Sequence, residues 1–277
     1  MTATKSIDLT GKVAFITAGG NGVGKGIALS LAKHGADIAI ADIDPENGGR
    51  VVAEIQSMER KALFIEIDAR EANQLQSAVD QAADHFGRLD ILVNNAGGVR
   101  KRPFLEQSLR SWQKHIDLNF ISMLAATQSA AKHMIAGQAG GTIINIASSE
   151  GLRAAPNFAV YAACKAGMVS FTRSMALELA EHNIHVHALA PDMIETEGLK
   201  PHLDAQGEAG RVAMRNYIPL GRTGSLEEIG NVATFLVSDM ASYLNGLTIP
   251  VDGGAIASSG WSRSPRTGEW DLYHGHP

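Results

Sequence analysis

The stretch Val13-Ala14-Phe15-Ile16-Thr17-Ala18-Gly19-Gly20-Asn21-Gly22-Val23-Gly24-Lys25-Gly26 decides the fold of this 277-residue chain. Its first four residues are an apolar run typical of a buried parallel strand, and the residues after the glycines, which include Ile27, Leu29 and Leu31, indicate a helix. Glycine lets a backbone approach a pyrophosphate, whose negative charge the free N–H groups at a helix start attract. The stretch therefore predicts a strand, a phosphate-binding turn and a helix.

Further apolar segments that predict strands alternate with helical segments from Lys12 to Val251. They are 37–42, 62–67, 91–93, 142–146 and 184–189. No repeat or linker divides the chain. This alternation predicts one α/β domain, a Rossmann-like doubly wound parallel sheet of about seven strands with helices on both faces, in which a cofactor lies at the carboxyl ends of the strands.

A tyrosine and a lysine, Tyr161 and Lys165, are four residues apart, and Tyr161 follows Ser148 by thirteen residues. If the run is helical, the spacing of four places both side chains on one face, where the ammonium favours the phenolate. A tyrosine so placed exchanges protons near neutral pH. Such pairs also occur as ordinary helix-surface pairs, so the motif gains its weight from its context.

The glycine cluster does not have the G-x-G-x-x-G spacing of the common dinucleotide motif. From about Leu9 to Gly254 the sequence instead resembles the short-chain dehydrogenase/reductase family, whose phosphate loop reads T-G-x-x-x-G-x-G and whose active site holds Y-x-x-x-K. Thr17, Gly22 and Gly24 match the loop, but Ala18 replaces its first glycine. Alanine is tolerable there at a negative φ and costly in the left-handed region. We interpret it as a variation whose curvature the neighbouring Gly19 and Gly20 absorb.

An acid, Asp42, ends the second predicted strand, where a carboxylate can accept hydrogen bonds from the two ribose hydroxyls of NAD and repel the additional phosphate of NADP. The alternative is that Asp42 caps the next helix, but Asp44, just before Pro45, is better placed for that role. We therefore expect NAD as the cofactor.

The resemblance implies the remaining cofactor contacts. Asp68 would contact the adenine amino group, although an acid at a strand end also forms turns. The segment 94–97 would brace the sheet and touch the cofactor. The complete predicted set is Gly20, Asn21, Gly22, Val23, Gly24, Asp42, Ile43, Asp68, Ala69, Asn95, Ala96, Gly97, Tyr161, Lys165, Pro191, Ile194 and Thr196.

The resemblance also assigns four catalytic residues, Asn119, Ser148, Tyr161 and Lys165. The pattern S-x-x-G selects Ser148 over Ser149. Tyr161 would act as general base or acid while hydride passes between a secondary alcohol, or its ketone, and NAD. Ser148 would hold the substrate oxygen, Lys165 would lower the tyrosine pKa and hold the nicotinamide ribose, and Asn119 would anchor a relay water. Alternatives are an NADPH-dependent ketoreductase of the same family and a non-catalytic NAD-binding protein.

Residues predicted to contact the substrate surround these groups, and residues 197–217 read as a loop or short helices covering it. Asp192 stands where the family usually has glycine. The predicted substrate set is Ser148, Arg153, Asn157, Phe158, Tyr161 and Met193.

Composition narrows the functional class. A net charge of −5 without a basic stripe does not indicate nucleic-acid binding, and no apolar run reaches membrane length. His182, His185 and His187 lack accompanying ligands, so we expect no metal. The single Cys164 fits a reducing compartment, which makes the cytoplasm the expected location.

The domain boundary and the assembly are expectations as well. We expect residues 1–254 to form the catalytic domain, and the resemblance implies a homotetramer. Residues 255–277 would form an extension that is either disordered or docked on a neighbouring subunit through Trp261, Trp270 and Tyr273.

Overall fold

Seven parallel strands form the central sheet in the computed structural model, which describes residues 7–264 and 266–272. Their order is β3-β2-β1-β4-β5-β6-β7. The strands are β1 Val13–Thr17, β2 Asp37–Asp42, β3 Ala62–Glu66, β4 Ile91–Asn94, β5 Gly141–Ile146, β6 Ile184–Pro191 and β7 Thr248–Val251. From β1 the chain adds β2 and β3 on one side of the sheet, and it then crosses to the other side of β1 to add β4 to β7. This order confirms the predicted doubly wound fold.

Helices connect the strands. They are α1 Gly22–Lys33, α2 Pro45–Gln56, α3 Ala72–Phe86, α4 Leu109–Ile116, α5 Ser122–Gly137, α6 Ala159–Glu178, α7 Lys200–Ala205, α8 Gly207–Tyr217 and α9 Leu226–Leu236. A π-helical turn, Asp117–Ile121, joins α4 to α5. The segment predicted as a loop or short helices over the substrate therefore contains α7 and α8.

Alternation along β1 explains why both faces of the sheet are covered. Ala14 and Ile16 belong to one apolar core, which also contains residues of α1, α2 and α9. Val13 and Phe15 belong to a second core, with residues of α3, α5 and α6. All five residues of β1 are buried, as expected for a central parallel strand with helices on both sides.

The residues after β7 fold back onto the same chain. Asp252 accepts hydrogen bonds from the N–H groups of Gly254 at 2.9 Å and Ile256 at 2.8 Å. Two short antiparallel strands follow, β8 Ser262–Arg263 and β9 Trp270–Asp271. Tyr273 of the predicted docking aromatics lies outside the described residues, and docking on a neighbouring subunit stays a prediction.

Candidate active site

The turn after β1 bends at Ala18, whose φ is 51°. The expectation that Gly19 and Gly20 absorb the curvature is wrong, because neither glycine has a positive φ. The backbone must reverse immediately after the last strand residue, Thr17, so the left-handed conformation falls on the alanine. A left-handed alanine costs on the order of 1 kcal/mol relative to glycine.

The start of α1 lies against this turn. A Cβ on Gly24 would collide with the carbonyl oxygen of Ala18 and with Nδ2 of Asn95, so only glycine fits there. Asn21 caps the helix, and its Oδ1 accepts the N–H of Gly22 at 2.5 Å. The loop thus exposes helix-start donors where a pyrophosphate would bind.

The turn is held by groups from the end of β4. Asn95 donates from Nδ2 to the carbonyl oxygens of Thr17 at 3.1 Å and Ala18 at 2.9 Å. The Thr17 hydroxyl accepts the N–H groups of Asn95 at 2.9 Å and Ala96 at 2.8 Å. These contacts support the bracing role expected of the segment 94–97.

The acid at the end of β2 is close to the glycine turn. Oδ2 of Asp42 accepts the N–H of Gly20 at 2.8 Å. Asp44, as expected, is the cap of α2, since its side chain accepts the N–H groups of Glu46 and Asn47. Asp42 therefore does not cap the helix, and it lines a cavity instead.

This cavity, of about 490 Å³, lies at the carboxyl ends of β1 to β4. Many of its lining residues are in the predicted cofactor set, namely Asp42, Ile43, Asp68, Ala69, Ala96 and Gly97. Its size and position suit the adenosine half of a dinucleotide. The cradle formed by the glycine turn and this cavity fits a nicotinamide dinucleotide.

Arg70, which no sequence pattern indicated, also lines this cavity. Its Nε donates to both carboxylate oxygens of Asp68 at 2.9 Å. Hydrogen bonding to the Arg70 side chain lowers the pKa of Asp68. Asp68 also accepts the backbone N–H of Arg70 at 3.0 Å, so the turn-forming alternative is observed at this residue.

Asn119 lies within the π-helical turn and is fully buried. Its Nδ2 donates to the carbonyl oxygens of His115 at 2.9 Å and Gly98 at 3.0 Å, and its Oδ1 accepts the Gly98 N–H at 3.0 Å. The widened turn and these bonds tie the α4–α5 junction to the end of β4. Such turns are frequent at functional sites.

Lys165 reaches the same place from α6. A Cβ on Gly97 would lie 3.0 Å from Oδ1 of Asn119 and 3.2 Å from Nζ of Lys165, so both predicted catalytic groups contact this glycine. Nζ donates to the carbonyl oxygen of Ile146 at 2.6 Å. Burial lowers the pKa of Lys165 to about 8.

Ser148, three residues before Gly151, is the serine whose side chain acts on Tyr161, where it opposes the effect of burial on the tyrosine pKa. Gly151 packs against α6 so tightly that a Cβ there would lie 2.8 Å from the backbone carbon of Lys165. The structure therefore brings Ser148, Tyr161 and Lys165 together.

The causes of the Tyr161 pKa shift in this structure are burial, Ser148 and Glu150, and the predicted lowering by Lys165 stays a prediction. Burial raises the tyrosine pKa, the Ser148 hydrogen bond opposes this effect, and the charge of Glu150 adds to it. The Lys165 nitrogen lies 5.7 Å from the centre of the Tyr161 ring and donates to Ile146. Tyr161 is consequently protonated at neutral pH.

The segment after β6 approaches the glycine turn. A Cβ on Gly22 would lie 3.3 Å from Cγ2 of Thr196, so Thr196 faces the start of α1. Ile194 is buried and forms an isolated bridge with Gly224. Pro191 ends β6, paired with Val251 of β7.

The predicted substrate residues are divided among several places. Arg153 lines a cavity of about 570 Å³ next to residues 255–262, whereas Met193 lines a different cavity of about 510 Å³. The carbonyl oxygen of Asn157 accepts the N–H of Arg102 at 3.1 Å, and the half-buried Phe158 precedes α6. Arg153 and Met193 therefore line different cavities.

Arg153 connects three separate segments of the chain. Its Nη2 donates to Oε1 of Glu150 at 2.7 Å, Oδ2 of Asp192 at 3.2 Å and the hydroxyl of Tyr217 at 2.5 Å. The Tyr217 hydroxyl in turn donates to Asp192. Tyr217, at the end of α8, was missed because only the fold brings it to Arg153.

Two features are absent from the described residues. No group of three or more His, Cys, Asp or Glu side chains is arranged to hold a metal ion there. None of the helices in the described ranges combines the length and the apolar character needed to cross a membrane.

Comparison with known proteins identifies the family. Residues 17–255 match a family model described as enoyl-(acyl carrier protein) reductase. The chain is 37% identical over 253 residues to 2-dehydro-3-deoxy-D-gluconate 5-dehydrogenase of Escherichia coli (strain K12), covering 91% of this chain and 98% of that protein. It is 36% identical over 248 residues to a 3-oxoacyl-(acyl-carrier-protein) reductase of Thermotoga maritima, covering 90% and 99%.

A solved structure agrees with this assignment. Carveol dehydrogenase from Mycobacterium avium, in complex with NAD, aligns with a TM-score of 0.83 at 30% identity and covers 92% of this chain and 100% of its own. The fold, the site geometry and these similarities together show that the chain is an oxidoreductase belonging to the short-chain dehydrogenase/reductase family.

Proposed function

We propose that this protein is an NAD-dependent dehydrogenase that interconverts a secondary alcohol and its ketone, with Tyr161 as the general base or acid. The observation that carries the proposal is the meeting of Lys165 and Asn119 at Gly97, with the Ser148 side chain acting on Tyr161 beside it. These four groups come from three segments, namely the turn after β5, α6 and the π-helical turn, near the carboxyl ends of β4 and β5. This is where ligands bind in open α/β sheets.

Each of the predicted catalytic side chains has its own role in the proposed reaction. The Tyr161 hydroxyl gives its proton to the ketone oxygen or, as phenolate, takes the alcohol proton. Ser148 donates to the same substrate oxygen and stabilises its developing charge. When bound, the nicotinamide supplies or accepts the hydride. Lys165 would hold the nicotinamide ribose and Asn119 a relay water. These groups return a proton to Tyr161 after it has protonated the ketone.

Cofactor choice rests on Asp42. Its carboxylate lies beside Gly20 at the rim of the adenosine cavity, where it would accept the ribose hydroxyls of NAD and repel a 2′-phosphate. A second candidate is an NADPH-dependent ketoreductase, which the 36% identity to a 3-oxoacyl-(acyl-carrier-protein) reductase favours. The relative efficiency with NAD and NADP distinguishes the two.

The test is replacement of Tyr161 by Phe. We expect Tyr161→Phe to lower kcat by on the order of a hundredfold or more, because the proton donor is removed, while NAD affinity in a fluorescence titration stays within about twofold. Tyr243→Phe, at a fully exposed tyrosine, is the matched control and should change neither quantity. Parental turnover by Tyr161→Phe would refute the mechanism. NAD binding without turnover of any secondary alcohol or ketone by the parent protein would favour a non-catalytic role.

We further propose a homotetramer that works in the cytoplasm. Exposed apolar side chains before and within α4 support association, since Phe104, Leu105 and Leu109 are 50%, 94% and 73% exposed. Cys164 is buried as a free thiol, which suits a reducing compartment. Light scattering coupled to gel filtration measures the assembly, and a monomer at micromolar concentration would contradict it.

A further inference from the structure

The residues after β7 form a wall of a cavity that also includes residues following Ser148. The cavity, of about 570 Å³, is lined by Leu152, Arg153, Tyr217 and part of the segment 255–262. Leu152 follows Ser148 by four residues, and the Ser148 hydroxyl accepts the N–H of Glu150 at 3.2 Å. Arg153, which lines the cavity, pairs with Glu150, whose charge acts on the pKa of Tyr161, so the cavity lies near the proposed reaction centre.

The segment that forms this wall is well anchored. Asp252 holds its first turn through the N–H groups of Gly254 and Ile256, and Ala255 is buried. The N–H of Trp261 then donates to the carbonyl oxygen of Ser258 at 2.8 Å. Beyond it, the Arg263 guanidinium lies 4.7 Å from the centre of the Trp270 ring, which links β8 to β9.

Large apolar side chains line much of the cavity. Leu152, Ile256, Trp261 and the ring of Tyr217 come from three parts of the chain. Trp261 is 47% exposed and Leu152 is 37% exposed, so both have apolar surface that a ligand can cover. A volume of several hundred cubic ångströms accommodates a ligand much larger than a simple alcohol.

Arg153, a charged residue that lines the cavity, belongs to a cluster in which acids outnumber bases. The single guanidinium of Arg153 is shared by the carboxylates of Glu150 and Asp192. The side chain of Asp192 is 9% exposed, and Asp252 adds a further acid near it. A carboxylate on a substrate would meet an arginine that two acids already neutralise.

We propose that this cavity is the distal substrate subsite, and that it selects an uncharged secondary alcohol with a bulky apolar body over a carboxylate-bearing alcohol. The inference rests on the proposed dehydrogenase function and adds the class of substrate. Trp261 and Leu152 contact the apolar body, and the arrangement of Glu150, Arg153 and Asp192 disfavours anions. Trp261 is a specificity-determining residue in the extension.

Three substrates with the same reacting group test this assignment: cyclohexanol, 4-phenylcyclohexanol and 4-hydroxycyclohexanecarboxylate, each with NAD. We expect the parent protein to have its highest kcat/KM with the phenyl compound and its lowest with the carboxylate. Trp261→Ala should lower kcat/KM for 4-phenylcyclohexanol about tenfold and leave cyclohexanol within twofold. Trp270→Phe, which keeps an aromatic ring beside Arg263, is the control in the same extension and should match the parent.

A second variant tests the charge argument. Asp192→Asn removes one acid beside Arg153 and should raise the kcat/KM of the carboxylate substrate relative to cyclohexanol severalfold. A parental preference for the carboxylate, or an equal effect of Trp261→Ala on all three alcohols, would overturn the inference while leaving the dehydrogenase proposal intact.

Binding measured without turnover separates the two proposals. Calorimetry with 4-phenylcyclohexanone and NADH should show binding to the parent and binding about tenfold weaker to Trp261→Ala. If this difference is seen but no alcohol is oxidised and no ketone reduced, the proposed function fails and the subsite stands. If the parent protein binds no ketone and turns over no phenyl substrate, the subsite assignment is refuted.

Discussion

Nδ2 of Asn95 lies 2.9 Å from the carbonyl oxygen of Ala18, to which it donates a hydrogen bond. The contact joins the end of β4 to the left-handed turn after β1, 77 residues earlier in the chain. This hydrogen bond fixes the carbonyl group of Ala18, the residue whose φ lies in the left-handed region. The glycine turn thus depends on a side chain from another strand.

Removing this side chain should loosen the turn. We expect Asn95→Ala to destabilise the protein by about 1–3 kcal/mol, because the carbonyls of Thr17 and Ala18 lose a partly buried donor, and to weaken NAD binding. Urea unfolding and a binding titration measure both effects. Asn47→Ala, at a half-buried asparagine in α2, is the comparison. Unchanged NAD affinity in Asn95→Ala would contradict the bracing role.

Glycine at position 18 should be tolerated or favoured. Ala18→Gly removes the strain of a left-handed alanine, which stabilises the folded protein. It also gives the unfolded chain more conformational freedom, which opposes this gain. The net increase in the free energy of unfolding should be about 0–1 kcal/mol. Ala53→Gly, in the exposed middle of α2, should instead cost about 0.5–1 kcal/mol. Chemical denaturation compares them. A loss at position 18 as large as that at position 53 would argue against the strained turn.

Cofactor selection should follow the charge of Asp42. Asp42→Ala removes the group that repels a 2′-phosphate, so the ratio of kcat/KM with NAD to that with NADP should fall by about tenfold or more, equivalent to about 1.4 kcal/mol. Asp44→Ala removes the cap of α2, which should cost about 1 kcal/mol of stability without altering the ratio. An unchanged ratio in Asp42→Ala would exclude the assigned role of the carboxylate.

Acid should destabilise the protein through His187, which is fully buried in β6. Burial, together with the nearby His185, lowers the pKa of His187 from 6.5 to about 4. The unfolded chain therefore takes up the proton first, and stability present above pH 6.5 is lost as the pH falls towards 4. The expected loss between pH 7.5 and 5 is roughly 2 kcal/mol.

The variant His187→Leu should flatten this dependence, and His182→Gln, at an exposed histidine, should retain it. Urea unfolding at pH 7.5, 6 and 5 provides the measurement. The same slope in His187→Leu and the parent would mean that other groups cause the acid sensitivity.

Local sequence patterns were sufficient to predict much of the candidate site. The apolar run 13–16 and the glycines after it predicted β1, the turn and α1, because strand burial and helix-start geometry depend on neighbouring residues. The four-residue spacing of Tyr161 and Lys165 predicted a shared face if the run is helical, and both residues lie in α6. The order Asp42, Asp44, Pro45 predicted that Asp44, not Asp42, caps α2.

The sequence by itself determined the doubly wound sheet, the family and the segments that carry the predicted catalytic groups, since these follow from periodicity and short motifs. Only the tertiary structure decided that Ala18 takes the left-handed conformation, that burial raises the pKa of Tyr161, and that Arg153 meets Asp192 and Tyr217, which lie 39 and 64 residues further along the chain. These properties depend on burial and on contacts between distant segments, and both exist only after the chain has folded.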